Sequence, residues 1–382
     1  MNLSRRSSVP APVLVVALIL ACVLAFPAAA SAAATPGSGE PFSIPDTYLI
    51  QGVPLYQQLQ AVGCGAAALQ MVLNYWGPYV DQKAIYDAAR TSGGSSLPDL
   101  ARAGQFSSMS FTAGDRYPAA QGQGYEGRPL GYSGFCYAQT TPWIDGLEAV
   151  VAQGYPVIVL TDRLPGQSGP HYRVVVGYDR SRSVLILNDP WGREFKGAMD
   201  YRGSANPNAA YDRQGNFLGW EWSYADFLSV WKLPTDAWGY PGASYGAVLV
   251  APWKVSVAAP SSVGAGADFP VTVSVTYVAP APFGGGVPFG DFPAAQATLT
   301  LGLPTGSTVI DGSTNVSLQT MTAGQTRTVT VWMRAGAPGA ARIEATASGV
   351  VAGELGSWRD YPGYDYADRI GGSGSASLTF TP

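Results

Sequence analysis

The chain contains one histidine, His171, so any chemistry that needs imidazole passes through a single position. Of three cysteines, Cys22 lies in an apolar N-terminal run, which leaves Cys64 and Cys136. These counts exclude a multi-histidine metal site and a Cys-rich zinc site. They permit nucleophilic catalysis. Cys64 precedes Gly65 at the start of an apolar helical pattern, where unpaired amides and the positive helix end favour the thiolate, the working nucleophile. Gln58, six residues upstream, has a side-chain amide that can donate to a developing oxyanion, a role worth about 2.7–4 kcal/mol. His171 is the only imidazole base for the thiol proton, and Asp189 is placed to hold that ring and stabilise its charged form. The competing use of Cys64 is structural, as a small buried hydrophobe or half of a Cys64–Cys136 disulfide.

The elements that must position these groups follow from the surrounding pattern. Leu69, Val72, Leu73 and Trp76 mark a buried helix over 66–76 that Gly77-Pro78 stops. Helices are expected over 81–90, near 98–102, and from Thr141-Pro142 to Gln153, where Gly154 closes the last of these. Strands are expected over 156–161, 171–178, 183–188 and 246–251, and Ser223 with Asp226 starts a further helix through Trp231. His171 should open its strand after a flexible loop at 166–170, and Asp179-Arg180-Ser181-Arg182 should join it to the next strand. A symmetric turn there sets His171 opposite Pro190, with Asp189 on the other face, so a triad requires a one-residue bulge or a splayed strand end.

From 252 onward nearly every ordered stretch reads as a strand, near 254–258, 271–278, 296–302, 315–320, 326–334, 340–348 and 375–380. Seven short strands suggest a sandwich of immunoglobulin-like type, with a Gly/Pro-rich loop at 279–293. The expected division is a signal peptide at 1–32, a linker at 33–44, an α+β domain at 45–251 and an all-β domain at 252–382. Arg5, Arg6, the apolar run at 13–26 and Ala30-Ser31-Ala32 form the export signal, which implies a secreted or surface location and no stable membrane span after its removal. A net charge of −4 with 22 Lys plus Arg leaves little to neutralise a phosphate backbone, so nucleic acid is not an expected partner. Asp360, Asp365 and Asp368 stand among tyrosines and read as a solvated loop rather than a calcium or carbohydrate site, and Gly242-Ala243-Ser244-Tyr245-Gly246 mimics a serine-hydrolase elbow but leads into a strand.

Four segments together resemble the papain-like cysteine peptidases related to bacteriocin-leader processing enzymes. They are Val53-Pro54-Leu55-Tyr56-Gln57-Gln58, the run Cys64-Gly65-Ala66-Ala67-Ala68-Leu69, Pro170-His171-Tyr172-Arg173-Val174-Val175-Val176-Gly177 and Asn188-Asp189-Pro190-Trp191-Gly192. The resemblance implies a papain-like fold, with Cys64 as nucleophile, His171 as base, Asp189 as orienting acid, Gln58 as oxyanion donor and no cofactor or metal. It implies peptide or protein substrates, with hydrolysis as the reaction and acyl transfer to an amine open to the same acyl-enzyme. The rival reading keeps the fold as an inactive module that binds peptide or glycan at the cell surface.

Overall fold

The computed structural model describes residues 43–77, 79–108, 110, 125, 128–164, 167–191, 208–211, 217–232, 244–278 and 293–382. The expected signal peptide and nearly all of the linker and of the 279–293 loop lie outside them. In chain order the first region runs β1 (Thr47–Leu49), α1 (Cys64–Trp76), α2 (Gln82–Ala88), α3 (Leu97–Gln105), β2 (Ser133–Gln139), α4 (Ile144–Ala152), β3 (Val157–Leu164), β4 (Gln167–Asp179), β5 (Val184–Asn188), β6 (Asn208–Tyr211), β7 (Phe217–Ser223), α5 (Tyr224–Trp231) and β8 (Tyr245–Ala251). Its strands make one sheet in the order β2-β8-β3-β4-β5-β7-β6, with β1 added along β4.

Alternation within the strands builds two cores from this sheet. Ile158, Val174, Val176 and Val248 pack with Leu69, Val72 and Leu100 of α1 and α3, whereas Val157, Val159, Val175 and Leu249 pack with Val150, Phe227 and Trp231 of α4 and α5. Side chains that satisfy the first amides fix most helix starts: Asp81 caps α2, Ser96 caps α3 and Ser223 caps α5. α4 starts later than Thr141-Pro142 suggested, because Trp143 buries its ring and takes the cap position without a side-chain cap; Gly154 still follows its end, at φ 86°. The loop expected at 166–170 is also corrected. β4 begins at Gln167 and pairs with β3 as far as Leu164, so His171 lies inside a long strand.

The turn joining β4 to β5 is Arg180–Ser183, with Asp179 paired to Val184, one residue later than a turn at 179–182 gives. The register then shifts between Val175 and Gly177, so that Val175 pairs with Leu187 and Val174 with Asn188. Carried toward the strand ends, this offset sets Arg173 opposite Asp189 and His171 opposite Trp191, all on one face. The one-residue irregularity that the sequence reading required is present.

The second region adds β9 (Lys254–Ala258), β10 (Ser262–Gly264), β11 (Asp268–Thr276), β12 (Ala294–Gly302), β13 (Thr308–Asp311), β14 (Asn315–Met321), β15 (Thr326–Arg334), β16 (Gly339–Leu355) and β17 (Tyr364–Thr381). They form a five-stranded sheet, β10-β17-β16-β12-β14, and a four-stranded sheet, β13-β15-β11-β9. Leu299, Ile343 and Phe380 from the first share an apolar cluster with Val271, Val273 and Val331 from the second. That cluster runs on into the first region, where Phe135 of β2 meets the Tyr277 ring at 5.8 Å.

β16 and β17 are far longer than their apolar cores suggested, and their shared hairpin tip reaches the α2–α3 region. Asp368, expected on a solvated loop, is fully buried within β17 and pairs with Arg102 of α3 at 3.3 Å. Burial pushes the Asp368 carboxyl up, and this outweighs the opposing pull of Arg102. Among the described residues no group of His, Cys, Asp and Glu is arranged to hold a metal, and no helix is long and apolar enough to cross a membrane.

Candidate active site

Cys64 is the first residue of α1, and the helix offers it an unusually free N-terminus. Gly63 at the cap position supplies no side-chain hydrogen bond, and the first turn has no acidic residue. The remaining turns bury Ala66, Ala67, Ala68, Leu69, Met71, Val72 and Leu73, small or unbranched side chains for the most part, so the helix sits close on β4. This brings the sulfur to His171, with which it is hydrogen-bonded, and to the backbone N–H groups of Tyr172 and Gly65. Burial pushes the Cys64 thiol up; the His171 hydrogen bond and charge, aided by those two amides, outweigh it, and the net shift is below the ordinary thiol value.

His171 is 2% exposed, and its Nε2 lies 2.8 Å from Asp189 Oδ1, which leaves Nδ1 to face the thiol. Burial alone would lower the imidazole pKa, but the Asp189 charge and the hydrogen bonds to Asp189 and Cys64 raise it above its ordinary value, against opposition from Arg173. The two directions agree, since a lowered thiol and a raised imidazole both favour a thiolate–imidazolium pair. Asp189 itself is pushed up by burial and pulled down further by His171, Arg173 and the Trp191 amide, so it stays below the usual carboxylate range.

Three supporting residues escaped the sequence reading. Arg173, two positions from His171 on the same strand face, donates from Nε to Asp189 Oδ2 at 2.7 Å and from Nη1 to the Asp162 carbonyl at 2.9 Å and to Thr161 Oγ1. Trp191 stacks on the imidazole, centroids 4.0 Å apart and planes 20° from parallel, while its N–H donates to Asp189 Oδ1. Tyr172 donates from its hydroxyl to the Ser95 carbonyl and lays its ring along Gly65, so the strand and helix carrying His171 and Cys64 are locked together. The alternation of β4, with the register shift, was the available signal for Arg173.

Gln58 is held differently. Its backbone N–H donates to the Pro190 carbonyl at 2.6 Å, tying the Val53–Gln58 stretch to the segment after Asp189, and Asn188 Nδ2 donates to the Val53 and Pro54 carbonyls of the same stretch. Both protons of its side-chain amide go to carbonyls, of Gln60 at 2.8 Å and of Ala61 at 3.0 Å. The structure therefore brings Cys64, His171 and Asp189 together, while the Gln58 amide is turned into its own loop. Gln57 contributes its carbonyl to Gln82 Nε2, and Gln82 in turn bonds Gln70 of α1, a buried amide chain that anchors this loop. Cys136 is buried on β2, and no disulfide joins it to Cys64.

Beside the thiol is a cavity of about 170 Å³. Cys64, His171 and Trp191 form one side, Gly93, Gly94 and Ser95 another, and Arg359 reaches it from the far C-terminal region. A partly enclosed site with a hydrogen-bonded thiol, imidazole and carboxylate can carry out attack on an acyl carbon followed by protonation of the leaving group.

Residues 50–217 match the sequence model of the Peptidase_C39 like family, which supports a cysteine peptidase of that type and so peptide substrates. The matched stretch includes Cys64, His171 and Asp189. No curated protein matches the chain. Among solved structures, 31% of the chain is similar to 92% of a chain from the human seminal plasma complex of zinc 2-glycoprotein and prolactin inducible protein, at 13% identity and a TM-score of 0.16. In a second solved structure, 59% of the chain is similar to 14% of E. coli alpha-2-macroglobulin in its native conformation, at 15% identity and a TM-score of 0.22.

Proposed function

We propose that the chain is an exported cysteine peptidase whose working groups are Cys64, His171 and Asp189. The observation that carries this reading is one imidazole bonded on one side to a buried thiol and on the other, at 2.8 Å, to a buried carboxylate. Cys64 sulfur attacks the peptide carbonyl as thiolate, its proton held on His171. The C–N bond then breaks, with that proton passing to the departing amine. Water, deprotonated by the neutral His171, resolves the thioester and returns the enzyme. Asp189 keeps the ring in position and supports its positive charge, and Arg173 and Trp191 position Asp189 and the ring.

For the oxyanion, the backbone amides at the start of α1 require no rearrangement, whereas the Gln58 amide must first leave the Gln60 and Ala61 carbonyls. Gln58 serves as donor only once a substrate has displaced that loop. The β-rich region beyond residue 252, read as an immunoglobulin-like sandwich, presents the enzyme at the cell surface, with peptide and glycan contacts open to it. The export signal at 1–32 supports a secreted or surface location. C64A should abolish peptide cleavage and labelling of the activated thiol by iodoacetamide; undiminished cleavage by C64A would overturn the reading. Product analysis with an added amine acceptor separates hydrolysis from acyl transfer.

A further inference from the structure

The hairpin tip between β16 and β17, residues 356–363, belongs to the β-rich region yet lies on the α2–α3 connection beside the thiol. It is fastened at both ends by one buried guanidinium, Arg90, whose Nη1 donates to the Gly356 carbonyl at 3.2 Å and Nη2 to the Pro362 carbonyl at 2.9 Å. Ser92 Oγ adds a bond to Asp360 Oδ2 at 3.3 Å, and the Trp358 and Tyr361 backbones pair across the tip. Arg359 stands at its apex with φ 49°, its guanidinium over the Trp358 ring at 5.1 Å.

From there Arg359 enters the wall of the cavity that holds Cys64 and His171. Gly93 makes room for it: at φ 68° this residue favours glycine, and a Cβ there would stand 2.8 Å from Arg359 Nη1. Apart from Arg359 and the Cys64–His171 pair, the described side chains lining the cavity are uncharged. Among the described residues that line the cavity, the one fixed cation is thus delivered by the C-terminal region, on an exposed side chain held by an anchored loop.

We infer that Arg359 is a specificity-determining residue that binds a substrate carboxylate next to the scissile bond. This rests on the peptidase reading and deepens it. A guanidinium–carboxylate contact in a partly enclosed site separates a charged ligand from its neutral isostere by tenfold or more. Acidic side chains and a free C-terminal carboxylate share this chemistry.

The test uses the full mature chain and paired fluorogenic peptides, Asp against Asn at each position flanking the scissile bond, and peptides ending in carboxylate against carboxamide. The wild type should favour the acidic member at one position at least tenfold in kcat/KM. R359Q should remove that preference, R359K should retain part of it, and R359E should shift it toward Lys-containing peptides. Preference confined to the Asp pairs identifies a side-chain site, and preference confined to the terminal pairs a chain-end site; either supports the inference. A ratio near one in the wild type, or the same ratio in R359Q, overturns it. A second readout does not depend on turnover: the rate of Cys64 alkylation by anionic iodoacetate relative to neutral iodoacetamide should fall at least severalfold in R359Q. If no peptide is cleaved but that ratio falls, the anion site stands and the peptidase reading fails.

Discussion

Replacing Asp189 with Asn separates the chemistry of the site from its architecture. Three donors converge on this side chain, His171 Nε2 at 2.8 Å, Arg173 Nε at 2.7 Å and the Trp191 N–H at 2.9 Å, and it is almost wholly buried. Asparagine conserves volume and one acceptor but removes the charge. Arg173 is then a fully buried cation without its carboxylate, and breaking one side of such a pair costs about 3–5 kcal/mol, a large part of the ~5–15 kcal/mol that holds a domain together. The imidazole meanwhile loses the main influence that raises its pKa, so the proton returns to sulfur. An upward move of one unit in the thiol, ~1.36 kcal/mol, leaves about tenfold less thiolate below its new inflection. Urea unfolding reads the first effect, and the pH dependence of iodoacetamide alkylation the second. The double variant R173M/D189N removes the unpaired cation, so it should recover most of the lost stability while the thiol inflection stays displaced. A folded D189N protein whose thiol titrates as in the wild type would refute the coupling of Asp189 to Cys64 through His171.

Other expectations follow from the same contacts. W191A deletes a ring that is 4% exposed and stacked on His171, and should cost about 3–5 kcal/mol in urea unfolding, with W191F costing clearly less. G65A sets a methyl group 3.1 Å from Tyr172 Cδ2, and that ring is tethered to the Ser95 carbonyl; the expected loss is about 1–3 kcal/mol, with slower alkylation of Cys64. The pH dependence has two arms. His171 is raised in the folded state, so its stabilising contribution is complete below its unfolded value of about 6.5 and is lost as pH rises through the folded value; Asp189 is lowered, so its contribution is present above about 3.9 and is lost as pH falls through the folded value. The difference in urea midpoint between wild type and H171Q should accordingly shrink with rising alkaline pH, and a difference that grows instead would contradict the raised imidazole.

Much of this arrangement was legible from local signals. The α1 pattern, the Ser223–Asp226 start of α5 and the Gly154 stop describe elements whose termini depend on their own residues. The order of Cys64, His171 and Asp189 pointed to one site, yet their common face did not follow from order. It depends on an offset set by the Arg180–Ser183 turn and changed once more between Val175 and Gly177. Because side-chain direction alternates every residue, the displaced turn, which moves the pairing by an even step, leaves each side chain on its face, whereas the single-residue shift between Val175 and Gly177 reverses it and brings Asp189 round to His171. The orientation of the Gln58 amide was hidden for a related reason: its spacing from Cys64 fits an oxyanion donor, but two nearer carbonyls, of Gln60 and Ala61, hold it in this structure.

The least legible part was the fate of the cations. With only 13% charged residues, the chain nevertheless buries Arg90, Arg102, Arg128 and Arg173. Each guanidinium faces an aromatic ring, at 5.3 Å for Arg90 over Tyr361, 4.5 Å for Arg102 over Phe106, 4.2 Å for Arg128 over Tyr132 and 4.8 Å for Arg173 over Trp222. A planar, weakly hydrated cation can stack and donate in its own plane at once, which the compact ammonium of lysine cannot do. Arg90 and Arg102 use this to hold the β16–β17 hairpin against the α2–α3 region, and Arg173 uses it to hold Asp189. The partners that Arg90 and Arg102 find on this hairpin, Gly356, Pro362 and Asp368, lie more than 250 positions away along the chain. No local pattern announces a pairing at that separation. The same contacts make the β-rich region a structural component of the thiol pocket, because the loop that Arg90 fastens is the one that brings Arg359 to Gly93.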